Sequence, residues 1–466
     1  MKAFKFCAFL RNSFRYLLIL IAFFCLLSVN SNHTIINFTF ICMSRDYNFT
    51  GNGYSPAVDY SPSEKTAIIW AVPIGTLLGT FPVNYFYTRF GAKWPFLVAG
   101  ILSAAATASI PVAAMFDLKV LLALRFVQGL AFSGNFGAVG LMCVRWAALN
   151  EISIFVSILT SFTPVSAVIT NPVSAWMCTD YGWPLAFYTH AGFGLIMFLL
   201  WILLYTDDPQ THRIITKTEL DRIQKGKTKE HIERDSFVPY KEVILDKVIL
   251  IVWLNAFVYM TALTFVLTYA PLYFRLVLKY DVSVAGTLSS VASSIHLPIK
   301  LAGGIISDRL SIISERYKMW FFNTISVGIA GICTLLVGIF PQRWPGAGFA
   351  MFALDNTVMA LNAGAFYKCG TLYARQYSHV VLTVIQFMKC VGMFVAAGLF
   401  WIFVHDESSY NQWRYTYWLQ GACLIVVNVL FYIIATDQPA AFTSITRATR
   451  QAQRKKAESF CSVTRM

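Results

Sequence analysis

The sequence predicts an all-α membrane protein whose twelve transmembrane helices form two pseudo-symmetric six-helix bundles. Three observations support this fold class: the composition, the number of long apolar stretches, and two matched polar loops. Of the 466 residues 57% are hydrophobic and 13% are charged, and the mean hydropathy is +0.59. Soluble domains carry about 25% charged residues. The composition therefore indicates a chain that resides mainly in lipid.

Twelve apolar stretches are long enough to cross a bilayer, which requires about 20 residues. They run approximately from Tyr16 to Thr39, Thr66 to Tyr87, Trp94 to Met115, Val120 to Val144, Ile152 to Met177, Pro184 to Thr206, Val248 to Phe274, Val282 to Ile306, Met319 to Phe340, Gly346 to Leu372, Val380 to Val404 and Tyr415 to Thr436. The predicted organisation is an N-terminal segment 1–15, a first bundle 16–206, a linker 207–247, a second bundle 248–436 and a basic tail 437–466.

Two short polar loops occupy matching places in the two halves, each beside helix-length apolar runs. The first closes with Arg89, Gly91 and Lys93 after an apolar run that carries Gly79, and the second contains Gly303, Gly304, Asp308 and Arg309. Small residues let membrane helices approach closely, and the charges suit a tight turn on the cytoplasmic side. The alternative is that basic residues merely flank two unrelated spans. The pairing favours a repeat of two related halves, as in many secondary transporters.

The net charge is +14, and the basic residues are concentrated in the predicted loops on one side of the membrane. Most of the Lys and Arg fall in the two termini, the linker and the loops on the same side, and this bias places both termini in the cytoplasm. A nucleic-acid partner is therefore not expected, and the lipid bilayer is. The first apolar run is longer than a signal peptide, so we expect it to remain as a span.

Asn37 and Asn48 begin N-x-Thr sequons just beyond the first predicted span. We expect both to be glycosylated on the outer side. The ten cysteines lack metal-ligand spacing. Cys42 and Cys178 are both expected on the outer side, where a disulfide between them is an open alternative.

No motif of a membrane enzyme is recognisable: the sequence has neither a nucleophile elbow nor a phosphate-binding loop. We therefore predict that the chain is not an enzyme and needs no cofactor, apart from a co-transported H⁺ or Na⁺.

Ionisable residues inside the spans are the candidate functional residues, because each costs about 2.5 to 3.5 kcal/mol at mid-membrane on insertion scales. The predicted set consists of Arg125, Lys300, Lys368, Lys389, Asp355, His190 and His296. Four cations against one acid favour an anion in a central cavity. A small anionic substrate is thus the expected partner.

These candidates differ in position. Lys389 lies near the bilayer centre, too deep for easy snorkelling, and His296 and Lys300 share a helix face one turn apart. Lys368 is close to the inner end of its span, where lysines commonly snorkel. Asp355, His296 and His190 are candidates for ion coupling, although Asp355 could neutralise a cation and His190 could satisfy a local hydrogen bond.

Several different short motifs follow one another along the chain in a characteristic order. They are Arg125, Gln128 and Gly129; Trp146 and Glu151; Gly182-Trp183-Pro184; Phe187-Tyr188; Asp208-Pro209-Gln210 with His212; and, in the second half, Pro271, Tyr273, Val277, Leu278, Gly286 and Leu288-Ser289-Ser290. Together they resemble the sialin, vesicular glutamate and sodium/phosphate anion carriers of the major facilitator superfamily, over roughly 14–436. Gly364, Phe366-Tyr367-Lys368-Cys369-Gly370 and Asn37-Phe38-Thr39 resemble a branch expanded in nematodes.

The resemblance implies transport of an organic anion or phosphate, with protons, sodium or the membrane potential as the driving force. In that family an arginine of the first span and one of the fourth typically meet the anion, and an acid seven residues after the latter takes up a proton. Here Arg125 matches the fourth-span arginine, whereas Ser28, beside Asn30, and Phe132 stand at the other two positions.

We therefore predict a secondary active or facilitative anion transporter that works by rocker-switch alternating access. The predicted substrate-binding residues are Arg125, Lys389, His296, Lys300, Asn30 and Ser28. The alternative is a non-transporting receptor that keeps the carrier fold. We expect a monomer. The plasma membrane is favoured over the lysosome or vesicle, because the N-terminus lacks the acidic dileucine sorting signal.

Overall fold

A computed structural model describes residues 13–43, 55–227, 238–280, 282–339, 344–406 and 408–445. In these segments all regular structure is helical. The helices of the first half are Phe14–Met43, Pro62–Phe90, Lys93–Phe116, Leu118–Phe132 continued by Asn135–Trp146, Ile152–Thr160 continued by Phe162–Asp180, and Trp183–Leu204.

The second half repeats this arrangement of six spans. Its helices are Lys247–Leu276, Val282–Arg309, Glu315–Asn323 continued by the π-helix Thr324–Ile329 and by Ala330–Val337, Pro345–Met359 continued by the 3-10 helix Ala360–Gly364 and by Phe366–Ala374, Ser378–Phe403, and Tyr410–Ile434. Short helices Lys217–Gln224 and Tyr240–Ile244 lie between the halves.

Ten described stretches are long and apolar enough to span a membrane. One of them, the 59-residue stretch Pro345–Phe403, contains two spans that meet at Arg375, whose φ is +46°. The helix Val282–Arg309, of 28 residues, is not among the ten but matches the predicted eighth span. The fold class predicted from the sequence, with twelve spans in two bundles, is confirmed.

The outer surface of the bundle exposes large apolar side chains along its spans. Leu78 is 63% exposed, Leu203 is 69% exposed and Ile433 is 66% exposed. Apolar side chains at such density are unfavourable in water and suit contact with lipid tails. The chain is thus an integral, multi-pass membrane protein.

The segment between the halves is docked onto the first bundle on one side, which we call the linker side; the opposite side is the far side. Glu219 of the linker is buried and accepts hydrogen bonds from the backbone N–H groups of Phe14 and Arg15, at 3.2 and 3.0 Å. The Arg15 guanidinium also pairs with Glu151 at 2.9 Å. These contacts tie the first and fifth spans to the linker.

The first polar loop forms a tight turn on the linker side. Gly91 has a φ of +80°, which favours glycine, and the following N–H groups of Ala92 and Lys93 donate to Asp207 at 2.7 and 3.2 Å. Arg89 is exposed beside this turn. Gly79 brings the second and fourth spans together, since a Cβ there would lie 2.7 Å from Ser133 Oγ. The turn is held by an aspartate of the linker as well as by its own residues.

Several spans are interrupted midway. The fifth breaks at Ser161, just before Pro164, and the tenth passes through the 3-10 segment Ala360–Gly364. Irregular backbone at membrane depth is tolerated only where it is buried in protein or lines a cavity. Both interruptions face the space between the halves.

Candidate functional site

A cavity of about 610 Å³ lies between the two bundles, midway along the spans. The first half contributes residues of the fourth and fifth spans, and the second half contributes residues of the seventh, eighth, tenth and eleventh spans. The polar lining residues are Thr160, Thr163, Asn171, Thr264, Ser294, His296, Lys300, Asn356, Asn362, Tyr367 and Lys389. A volume of this size falls within the usual range for small-molecule sites.

Lys389 reaches across the cavity from the eleventh span to the first half. Its ammonium lies 3.5 Å from Thr163 Oγ1 and within 5.5 to 5.9 Å of the ring centroids of Phe132, Phe136 and Phe162. Rings at this range attract a cation through their quadrupoles. Lys389 is therefore held by an aromatic box instead of a carboxylate, and Phe132, at the family's acid position, is one wall of that box.

Lys300 makes the second link between the halves. Its Nζ lies 3.5 Å from the backbone oxygen of Thr160 in the fifth span. That carbonyl would accept from the N–H four residues later in a regular helix, but residue 164 is a proline and has none. The break in the fifth span thus frees an acceptor for a buried ammonium.

His296 lies on the same face of the eighth span as Lys300, as the four-residue spacing predicted. Its Nδ1 is 3.2 Å from both the backbone oxygen and the side-chain oxygen of Asn356. Since both neighbours are acceptors, Nδ1 carries a hydrogen and the other ring nitrogen is free to accept one. His296 can therefore serve as a hydrogen-bond acceptor for a ligand or a proton.

The cavity is positively charged. Among the described residues no Asp or Glu lines it, and neither Lys300 nor Lys389 forms a salt bridge there. A buried charge without a counter-charge is strongly unfavourable. The arrangement is complementary to an anion.

Asn362 and Tyr367 line the cavity but were not predicted as site residues. Asn362 donates to the hydroxyl of Tyr259 at 2.8 Å, and the ring of Tyr367 stacks on that of Phe136 across the two halves at 6.3 Å. Aromatic and amide residues are too common in membrane spans to be recognised as a site. The interruption at Ala360–Gly364 was the available signal, and a lone Gly364 indicates it only weakly.

Arg125 is not among the residues that line this cavity, and a site shared with Lys389 stays a prediction. It is 1% exposed, and its guanidinium donates to the backbone oxygens of Ile68 and His33 at 3.1 and 2.7 Å and to Gln128 at 2.7 Å. It joins the first, second and fourth spans of one bundle. The ring of His33 packs on Phe132 at 4.5 Å between Arg125 and the box of Lys389.

Ser28 and Asn30 are also absent from the residues that line the cavity. Ser28 Oγ donates to the backbone oxygen of Cys25 at 2.8 Å, within its own helix. Asn30 donates to Ser166 Oγ and lies 3.2 Å from His33 Nε2. Both side chains pack within the first bundle, and substrate binding by them stays a prediction.

Of the three coupling candidates the structure places only His296 on the cavity wall. Asp355 is buried in the second bundle, where Thr334 Oγ1 donates to it at 3.2 Å, and no salt bridge to it is found in the described segments. His190 Nδ1 lies 2.9 Å from the backbone oxygen of Ala186 in its own helix. Neither is among the residues that line the cavity.

The second polar loop closes the linker side between the halves. Asp308 accepts from the backbone N–H of Ile154 at 2.7 Å and from Lys368 Nζ at 3.0 Å. Lys368, expected to snorkel, instead pairs with both Asp308 and Glu315, the latter at 2.7 Å. A carboxylate at the first turn of the fifth span is favoured by the helix dipole.

Gly304 allows the close approach that this contact requires, because a Cβ there would lie 2.9 Å from the backbone oxygen of Ser153. Gly303 packs against Leu361 within the second half, and Arg309 is exposed. The equivalent contact in the other pair of spans joins Thr88 Oγ1 to His379 Nε2 at 3.2 Å. These two contacts join the halves on the linker side.

The cavity is open in the opposite direction. Val168 and Leu267, on its far-side rim, are 56% and 43% exposed, whereas Asn362 and Tyr367 at its base are buried. The contacts of Asp308 and His379 therefore bound the cavity on the linker side, and its exposed rim residues lie toward the far side.

Replacing Asp308 by asparagine is expected to weaken the linker-side closure, because the amide keeps one acceptor but loses the charge that faces Lys368 and the helix terminus. If the contacts that close the linker side lose about 1.4 kcal/mol, the population of molecules open on that side rises about tenfold. The alkylation rate of a cysteine introduced at Ser157, buried between the halves, measures it.

Arg309→Gln, at an exposed neighbouring position, is the matched control and is expected to label at the parental rate. Equal alkylation rates in the parent and the Asp308→Asn variant would contradict a role of Asp308 in closure.

The predicted glycosylation sites are not resolved by this geometry. Asn48 lies outside the described residues, and Asn37 lies on the first helix, with its side chain outside the described part.

Comparison with known proteins decides the family. The model of the Major Facilitator Superfamily matches residues 18–397. The chain belongs to this superfamily of membrane transporters. Its curated relatives are transporters and not enzymes, in agreement with the sequence analysis.

The relatives lie in the anion-transporter branch of the superfamily. The probable small intestine urate exporter of Mus musculus is 24% identical over 397 residues, covering 82% of this chain and 77% of that protein. Sodium-dependent phosphate transport protein 1 of Oryctolagus cuniculus is 24% identical over 442 residues, or 91% and 93% of the two chains. Sialin of Ovis aries is 28% identical over 375 residues, or 78% and 74%.

Solved structures of the superfamily share the fold. The proton:xylose symporter XylE has a TM-score of 0.68 at 14% identity, covering 91% of this chain and 96% of that one. FucP in the outward conformation has a TM-score of 0.62 at 11% identity, with coverage of 91% and 100%. At these identities the comparison concerns the fold alone.

Proposed function

We propose that this protein is a secondary carrier of a small anion, which binds in the central cavity between Lys300 and Lys389. The observation that carries the proposal is the placement of two ammonium groups without an acidic partner, among the described residues, in a cavity shared by both halves. The names of the relatives point the same way, since urate and phosphate are anions.

The geometry supports alternating access as the mechanism. Both lysines belong to the second half, whereas their acceptors, Thr160 and Thr163, belong to the fifth span of the first half. An anion that attracts both ammonium groups would replace these contacts and change the energy of docking the halves. Occupancy of the site and the relative tilt of the two bundles are thereby linked.

The positive-inside bias supports a cytoplasmic linker side, with both termini on it, so the cavity faces outward in this state. We place the carrier in the plasma membrane as a monomer. The driving ion stays open between H⁺, Na⁺ and the membrane potential. His296 is the one coupling candidate that contacts the cavity, so a proton would enter the mechanism there.

Counterflow in proteoliposomes tests the function directly. Vesicles preloaded with an unlabelled anion should accumulate the same labelled anion transiently, using urate, inorganic phosphate and simple carboxylates as probes, with and without pH and Na⁺ gradients. Accumulation is expected for at least one anion and for none of the neutral sugars used as controls.

Saturable binding of an anion without counterflow would instead identify a receptor that keeps the carrier fold. Absence of both binding and counterflow across the anions, with a folded protein, would overturn the proposal.

A further inference from the structure

We propose that Cys42 and Cys178 form a disulfide that joins the far-side ends of the first and fifth spans. Cys42 lies at the end of the helix Phe14–Met43, and Cys178 lies two residues before the end of the helix Phe162–Asp180. Both are free thiols in this structure, and they belong to the same buried cluster, within hydrogen-bonding reach of each other. The two side chains therefore lie close together, although the residues lie far apart in the sequence.

The surroundings keep the two thiols in place. Both are buried, at 6% and 0% exposure, in an apolar cluster that includes Ile35 and Trp183. The indole N–H of Trp183 donates to the backbone oxygen of Pro56 at 2.8 Å, and Val58 N–H donates to the backbone oxygen of Met43 at 2.8 Å. The returning chain thus packs over the helix ends that carry the pair and holds them together.

The far side of the membrane provides the oxidising conditions that a disulfide needs. The far side faces the lumen of the secretory pathway during synthesis if the linker side is cytoplasmic, and that compartment favours disulfides. Each thiol loses its proton, one S–S bond forms, and the two electrons pass to the disulfide of a thiol–disulfide oxidoreductase, which leaves as a dithiol. The inference thus depends on the orientation given above but not on the transported anion.

The bond would fasten two spans of the same bundle. Neither the first nor the fifth span would be linked to the second half, so the tilt of the halves is unaffected. We expect the disulfide to stabilise the first bundle without locking the carrier in one state.

Thiol counting on the purified full chain tests the inference. The protein is denatured and treated with a maleimide of known mass, before and after reduction, and the labels are counted by intact-mass spectrometry. Reduction is expected to expose two further thiols. In Cys42→Ser and in Cys178→Ser this gain should disappear, because the remaining partner is already free.

A second measurement does not depend on the variants folding. Proteolysis of the unreduced parent should release a linked pair of peptides that contain Cys42 and Cys178, and reduction should separate them. No gain of thiols on reduction, a gain that persists in the two variants, or a linked pair involving other cysteines would each overturn the inference. Counterflow of an anion is unaffected by these outcomes, so the two proposals fail independently.

Discussion

Replacing Lys389 by methionine is expected to abolish anion uptake while leaving the protein folded and in the membrane. The change removes the ammonium that faces the cavity but keeps an unbranched side chain of similar length within the rings of Phe132, Phe136 and Phe162. Removing one member of a buried charge pair between protein and ligand reduces the binding free energy by about 2 to 5 kcal/mol, so uptake should fall about 30-fold or more.

Initial rates of labelled-anion uptake, normalised to the amount of folded protein, measure this effect. Lys119→Met, at an exposed position near the far side, is the matched control and should transport at the parental rate. Lys300→Met is expected to weaken uptake as well, since it removes the other ammonium. Parental uptake by Lys389→Met would show that the cavity charge is not used for the anion.

Replacing Arg125 by methionine is expected to act differently: it should lower the stability of the folded protein, whereas Lys389→Met should lower anion binding and leave the fold intact. The guanidinium satisfies the carbonyls of Ile68 and His33 as well as Gln128 inside the first bundle. Buried hydrogen bonds to charged groups contribute about 1.5 to 3 kcal/mol each. Melting of the detergent-solubilised protein should therefore shift to a markedly lower temperature.

Arg125→Lys is the informative companion variant. Lysine keeps the charge but cannot present the planar fork that reaches three acceptors on different spans, so it should not restore the melting temperature. If Arg125→Met melts like the parent and yet fails in uptake as Lys389→Met does, Arg125 acts in binding and its placement here is wrong.

The contrast between these two residues shows what the sequence could and could not predict. The free-energy cost of a charge at mid-membrane marks both Arg125 and Lys389 as functional candidates, and the resemblance to anion carriers favoured Arg125. Which of them faces the shared cavity depends on helix rotation and on partners elsewhere in the chain. The backbone oxygens that Arg125 satisfies have no sequence signature.

The fold itself was predictable because hydrophobic length is a local property. The ninth and tenth spans are irregular, yet their apolar stretches are clear from the sequence. The aromatic box was not predictable, because the chain contains 39 phenylalanines and three of them become a cation site only through packing. A proline at position 164 is visible in the sequence and allows a helix to bend, but the sequence does not show that the freed carbonyl of Thr160 would meet Lys300.

The missing N–H at Pro164 affects the apparent dissociation constant of any ligand that binds in the cavity. Lys300 and Lys389 are engaged with the first half before a ligand arrives, so part of the intrinsic binding free energy is used to release them. The apparent dissociation constant equals the intrinsic one divided by the fraction of molecules in which the ammonium groups are already released. A carrier built in this way releases its cargo readily, because the protein's own oxygen atoms and rings compete for the same two cations.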